Sequence, residues 1–168
     1  PLHGLTQGAQ PIVSYNFGAR NAQRVRETFS CLLRACLSYS MAIWLLVELF
    51  PSVFVRIFNS TPSLVAYASR SVRIYMACSG IFGIQTACQQ TFVALGNAKT
   101  SLLLAVWRKI ILLVPLIYIL PCFFADKAFA VFLAEPVADF GAVVMTSVMF
   151  YRQFRRSMRA LEETTGET

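Results

Sequence analysis

The stretch Ile74–Ala98, IYMACSGIFGIQTACQQTFVALGNA, runs for 25 residues without one charged side chain. A helix of that length rises about 1.5 Å per residue and can cross the roughly 30 Å hydrocarbon core of a bilayer. Its centre nevertheless holds Gln85, Gln89 and Gln90. Because an amide at mid-membrane depth costs free energy unless another helix or water satisfies it, the stretch predicts one helix within a bundle of further spans.

Two stripes of this predicted helix carry different kinds of side chain. Small residues recur at spacing four and predict close packing on another helix: Ser79, Gly83, Ala87 and Thr91. A second stripe carries sulfur, aromatic and amide groups: Cys78, Phe82, Gln85, Gln89 and Phe92. Two interpretations of the second stripe stay open. It forms the wall of a substrate cavity, or its amides bond to neighbouring helices.

Composition and charge place the whole chain in a membrane. Hydrophobic residues make up 57% of the sequence and charged residues 14%, against about 25% charged in soluble domains. The arginines and lysines concentrate on alternate connections between apolar segments, and the last segment is followed by Arg152, Arg155, Arg156 and Arg159. The positive-inside rule therefore predicts a cytoplasmic C-terminus, and the same distribution argues against a nucleic-acid partner.

The apolar segments predict an all-α fold, a polytopic transmembrane helix bundle of about five spans. The spans are predicted at residues 4–17, 31–50, 74–95, 102–124 and 129–151. We expect a kink at Pro115, inner-interface anchors at Arg108 and Lys109, and a disordered cytoplasmic tail over residues 160–168.

Two acids of the last predicted span are the sharpest chemical feature. Glu135 and Asp139 lie four residues apart and so share a helix face. Ionisable groups within a span are usually functional, and two close acids are typical of a proton or cation relay. The alternative is structural: Asp139 accepts bonds from an adjacent helix while Glu135 reaches water at the outer surface.

The sequence offers no arrangement suited to catalysis. No histidine lies near a serine or cysteine nucleophile, and neither a Gly-rich phosphate loop nor metal-ligand spacing occurs. We therefore predict that the protein is not an enzyme and holds no cofactor or metal.

The stretch Gly4–Ala19, GLTQGAQPIVSYNFGA, resembles the multidrug and toxic compound extrusion (MATE) family and is most similar to its MepA-like branch. Three further matches follow in the family's order, and the resemblance extends to about Arg159. They are Ala94–Ala98, Arg108 leading to Pro115, and Pro136–Asp139.

The resemblance implies the C-terminal part of a two-lobe transporter, from the last half of helix 8 through helix 12, whose partner is the missing N-terminal lobe. The family couples the export of organic, often cationic, drugs to inward flow of H⁺ or Na⁺ by alternating access. Some members carry a coupling acid in helix 10, where this chain has glutamines, and in others that acid lies in the first lobe.

These considerations give a set of candidate site residues. The predicted substrate-binding residues are Gln10, Gln85, Gln89 and Phe92, from the helix faces. The predicted cation-coupling residues are Asp139, which matches a recurring acid of helix 12, and Glu135, which has no such match. We expect a multi-pass protein of a bacterial plasma (inner) membrane.

Two other functions stay open. One is a lipid-linked oligosaccharide flippase of related fold, which needs a cationic lumen, whereas the mid-span positions here are interpreted as neutral or acidic. The other is an inactive membrane fragment or scaffold.

Overall fold

The computed structural model describes residues 1–58 and 61–166, which form helices joined by short connections and contain no strand. This confirms the all-α prediction. The helices are α1 (Leu2–Gly18), α2 (Ala22–Leu49), α3 (Pro51–Phe58), α4 (Pro62–Met76), α5 (Phe82–Ala94), α6 (Ala98–Val106), α7 (Val114–Phe123) and α8 (Lys127–Gly166). A 3₁₀ turn, Ser79–Ile81, precedes α5, and a π-helical segment, Trp107–Leu113, joins α6 to α7.

Three continuous helical stretches within the described residues are long and apolar enough to cross a membrane. They are Ala22–Leu49, Ala98–Phe123 and Lys127–Glu163. The first predicted span corresponds to α1, which has 17 residues, and the third predicted span is interrupted. The count of about five spans therefore stays a prediction.

The prediction of one continuous helix over Ile74–Ala98 is wrong. Helix α4 ends at Met76, and α5 begins only at Phe82, after the 3₁₀ turn. At this break the Ser40 hydroxyl of α2 donates a 2.7 Å hydrogen bond to the Gly80 carbonyl. The long-range bond satisfies a backbone acceptor where the regular helix ladder stops, so the interruption is tolerated inside the bundle.

The predicted packing of the small-residue stripe is confirmed where α5 meets α2. A Cβ atom placed on Gly83 would lie 2.5 Å from the Cys36 carbonyl oxygen. One turn further on, Ala87 is fully buried in a cluster with Leu32 and Cys36. Missing side-chain volume on α5 thus lets the two backbones touch.

The C-terminal end of α8 differs from the predicted disordered tail. The helix continues to Gly166, and only residues 167–168 of that tail lie outside the described residues. Met158 and Leu161 are buried in a cluster with residues of α1, α2 and α5. Arg26 adds an ion pair to Glu162 at 2.8 Å. Because these contacts hold the end of the helix against the bundle, the polar composition of the tail is a poor guide here.

A π-helical segment ends just before Pro115, where the sequence predicts a kink, and the kink itself stays a prediction. A proline removes one helix donor and its ring crowds the carbonyl one turn earlier. Widening of the preceding turns is one way to relieve that crowding. The segment includes Arg108 and Lys109. The directions in which these two side chains leave the helix therefore depend on the π-helical geometry.

Substitution of Gly83 tests the close contact between α5 and α2. We expect Gly83→Ala to lower the free energy of unfolding by about 1–3 kcal/mol, because the added methyl group meets a backbone oxygen that cannot turn away. Thermal unfolding of the complete protein in detergent measures the effect. Gly8→Ala is the control, since a Cβ atom there meets nothing within 4 Å in the described structure. Equal melting temperatures for both variants would contradict the packing.

Candidate functional site

The acids of α8 form an ion cluster with the π-helical segment. Arg108 donates from Nε to Asp139 Oδ1 at 2.5 Å and from a terminal nitrogen to Glu135 Oε1 at 3.1 Å. Lys109 Nζ lies 3.2 Å from the same Glu135 oxygen. Two cations and two carboxylates thus meet at one place between α8 and the neighbouring segment.

The core of this cluster is shielded from solvent. The side chains of Arg108, Glu135 and Asp139 are 15%, 12% and 10% exposed, whereas that of Lys109 is 55% exposed. The Arg108 guanidinium also lies 4.8 Å from the centre of the Phe82 ring at the start of α5. A buried carboxylate is costly without a partner, so Arg108 is the group that makes two acids on one helix face tolerable.

The structure corrects the prediction for Arg108. The sequence predicts it as an anchor at the inner membrane interface, but its guanidinium lies beside the acids of the last span. The interpretation of the mid-span positions as neutral or acidic is therefore wrong as well. A usable signal was present in the chain, since Arg108 is eleven residues into a helical stretch of 26 residues. An interfacial anchor belongs near an end of such a stretch.

Four of the five glutamines of α1 and α5 fall into two groups. Gln90 Nε2 donates to Gln10 Oε1 at 2.6 Å, which ties α5 to α1. The other two have buried polar atoms, Gln85 Oε1 and Gln89 Nε2, that find no hydrogen-bond partner among the described residues. Bonding between helices therefore accounts for Gln10 and Gln90, but it leaves part of Gln85 and Gln89 unsatisfied.

Phe92, the fourth predicted substrate contact, lies in the interior of this chain. Its side chain is fully buried, and its ring meets that of Phe150 edge-on with centroids 5.2 Å apart. Cys88 and Leu104 complete the same cluster. In this arrangement Phe92 packs α5 against α8, and a substrate reaches its ring only if these helices separate.

A third unsatisfied polar atom belongs to α8. The hydroxyl of Thr146 is buried and has no hydrogen-bond partner within the part of the chain that the structure describes. Buried polar groups in proteins are nearly always satisfied by protein, water or ligand. The interior of this helix bundle thus retains unused hydrogen-bonding capacity on both α5 and α8.

Comparison with known proteins agrees with this architecture. The MatE family model matches residues 1–119. The chain is 20% identical over 164 residues to an FAD transporter of Shewanella oneidensis, covering 98% of this chain and 35% of that protein. It superimposes on the inward-facing conformation of a multidrug resistance MATE family transporter of the MOP superfamily with a TM-score of 0.83 and 16% identity, covering 98% of this chain and 37% of the other.

A structure of the outward-facing conformation of such a transporter gives a TM-score of 0.81 at 14% identity, covering 97% of this chain and 36% of the other. At these identities the likeness concerns the fold alone. The chain spans 35–37% of the length of these three relatives. Its helix arrangement is thus common to both conformations.

Removal of the Arg108 guanidinium tests the ion cluster. We expect Arg108→Gln to lower the free energy of unfolding by roughly 3–5 kcal/mol, because it leaves buried carboxylates without a partner. Thermal unfolding of the complete protein, with retention on a size-exclusion column, measures the effect.

Two further variants make this test specific. Lys109→Gln should cost less than about 1 kcal/mol, because the Lys109 side chain is half exposed. The double variant Arg108→Gln/Asp139→Asn should recover part of the loss, since one of the unpaired charges is then removed. Equal effects of Arg108→Gln and Lys109→Gln would show that the cluster does not stabilise the fold.

Proposed function

Because this chain belongs to the MatE family of membrane transporters, we propose that it is the C-terminal part of an exporter of organic, often cationic, compounds. The exporter exchanges these compounds for H⁺ or Na⁺ by alternating access, and its N-terminal lobe completes the cavity. We assign it to the MepA-like branch on the Gly4–Ala19 motif. Family membership also means that the chain is a transporter component and not an enzyme, and that no cofactor beyond the coupling ion is needed.

The unsatisfied amides of α5 carry the substrate-binding part of this proposal. Gln85 Oε1 and Gln89 Nε2 are buried without a hydrogen-bond partner among the described residues. Lipid cannot satisfy them, whereas a water-filled or substrate-filled cavity between two lobes can. An acceptor and a donor at neighbouring positions suit small organic molecules with few polar groups. Gln10 then supports this wall through Gln90, and Phe92 supports it by packing on α8.

We assign the coupling of export to ion flow to the acids of α8. Their ion pairs with Arg108 determine how a mobile cation can bind them. Asp139 and Glu135 already bind a cation, the guanidinium of Arg108. A proton or Na⁺ that neutralises a carboxylate therefore competes with Arg108 for the same oxygens. Coupling then consists of exchanging a tethered cation for a mobile one, which loosens the contact between the π-helical segment and α8.

Charge distribution supports the proposed orientation in a bacterial inner membrane. With Arg108 and Lys109 assigned to the membrane interior, nine of the other arginines and lysines fall on the side of the C-terminus and four on the opposite side. This bias favours a cytoplasmic C-terminus.

The flippase alternative is less well supported. Arg108 and Lys109 do bring positive charge into the bundle, but Glu135 and Asp139 compensate it. A pyrophosphate group needs an excess of cationic donors, which this cluster does not offer. An inactive scaffold gives no reason to keep unsatisfied amides inside a span.

Replacement of the two amides tests the substrate site. We expect Gln85→Ala/Gln89→Ala in the complete transporter to weaken drug binding and export about tenfold, the loss expected when roughly one net hydrogen bond is removed. Export from cells and equilibrium binding of a fluorescent cationic dye measure it. Gln23→Ala is the control, because Gln23 is exposed and its side chain bonds to Glu27 within its own helix. Unchanged export and binding in the double variant would overturn the assignment.

Neutralisation of the acids tests the coupling role separately. We expect Asp139→Asn to abolish dye uptake driven by an imposed proton or sodium gradient in proteoliposomes while dye binding persists, because the variant cannot exchange Arg108 for an ion. Glu135→Gln should weaken the gradient dependence less, since Arg108 then keeps its 2.5 Å bond to Asp139. Full gradient-driven uptake by a folded Asp139→Asn variant would exclude the acid from coupling.

A further inference from the structure

A second polar site lies at the end of the bundle where α2 gives way to α3 and α4. A cavity of about 650 Å³ opens there and is lined by both charged and apolar side chains. Its polar lining consists of Ser52 and Arg56 from α3 and Ser69 and Arg73 from α4. The cavity is at the opposite end of α2 from the cluster that holds the C-terminal end of α8, and none of its residues belongs to the proposed substrate or coupling sites.

The cavity has an excess of one positive charge, because Glu48 compensates Arg73 but nothing in the described structure compensates Arg56. Arg73 donates to the Glu48 carbonyl at 3.1 Å, and its Nε lies 3.9 Å from the Glu48 carboxylate, which is not part of the lining. Arg56 makes no ion pair with any of the residues that the structure describes. The hydroxyl of Ser69 is likewise without a hydrogen-bond partner in that part of the chain. Two guanidinium groups and a free hydroxyl favour an anion with several oxygens.

Helix α3 has a second face that bears on the identity of this anion. Val53, Ile57 and Phe58 are 56%, 72% and 89% exposed, while Ser52 and Arg56 point to the cavity side. A short helix that exposes apolar side chains and carries an arginine beside them suits the membrane interface. The arginines of α3 and α4 then lie at headgroup depth, directly beside side chains that contact acyl chains.

We propose that this cavity binds the phosphate headgroup of an anionic phospholipid. The phosphate oxygens accept hydrogen bonds from Arg56 and Arg73, and the acyl chains lie along the exposed face formed by Val53, Ile57 and Phe58. A free phosphate ion uses only the first half of this arrangement, whereas a phospholipid uses both. Basic pockets between helices at a membrane surface recognise lipid headgroups by this combination of charge and adjacent apolar surface.

Lipid titration followed by native mass spectrometry of the complete transporter tests this site. The probes are phosphatidylglycerol, phosphatidylcholine and soluble glycerol 3-phosphate. Wild-type protein should bind phosphatidylglycerol in preference to phosphatidylcholine. Arg56→Gln should weaken that binding about fivefold, the effect of one arginine near an anionic headgroup, and Arg56→Gln/Arg73→Gln should weaken it further.

Arg70→Gln is the matched control, because Arg70 lies on α4 with Arg73 but lines a different cavity. It should leave phosphatidylglycerol binding unchanged. Arg56→Gln should keep the wild-type melting temperature, since Arg56 has no ion pair in the described structure to lose. Equal effects of Arg56→Gln and Arg70→Gln would overturn the site. Displacement of the lipid by equimolar glycerol 3-phosphate would overturn the lipid assignment and identify a soluble anion as the ligand.

Discussion

The contact between Arg108 and the two acids of α8 is the constraint on which the rest of this bundle depends. A membrane interior offers a carboxylate neither water nor counter-ions, so the cation must come from the protein itself. The guanidinium comes from a π-helical segment before Pro115, and it binds Asp139 at 2.5 Å and Glu135 at 3.1 Å. The π-helical segment therefore places the charge that pairs this part of the chain with α8.

Another side of α5 is held by close backbone contact with α2 and not by charge. Gly83 and Ala87 bring α5 against α2, and Ser40 bonds to Gly80 where the helix is interrupted. The Ser40 hydroxyl on this side is already bonded to a backbone carbonyl. The unsatisfied atoms of Gln85 and Gln89 belong to the same short helix. One face of α5 is thus committed to packing, and the hydrogen-bonding capacity of its two amides is left unused in this chain.

The sequence predicts the class of fold and the packing stripe because both depend on local composition and spacing. It does not predict the interruption of the central span, since the bond from Ser40 to Gly80 joins residues 40 positions apart. It also misplaces Arg108, because a basic residue beside a tryptophan has the composition of an interfacial anchor. The helical end of α8 depends on burial of Met158 and Leu161 among residues from three other helices, which no local pattern records.

An experimental structure of the complete transporter in a lipid nanodisc measures the central contact most directly. We expect the Arg108 guanidinium to lie within hydrogen-bond distance of both Asp139 and Glu135, inside the hydrocarbon region and beside Phe82. This expectation would be contradicted if the Arg108 side chain extended to the headgroup region and the two carboxylates faced another partner.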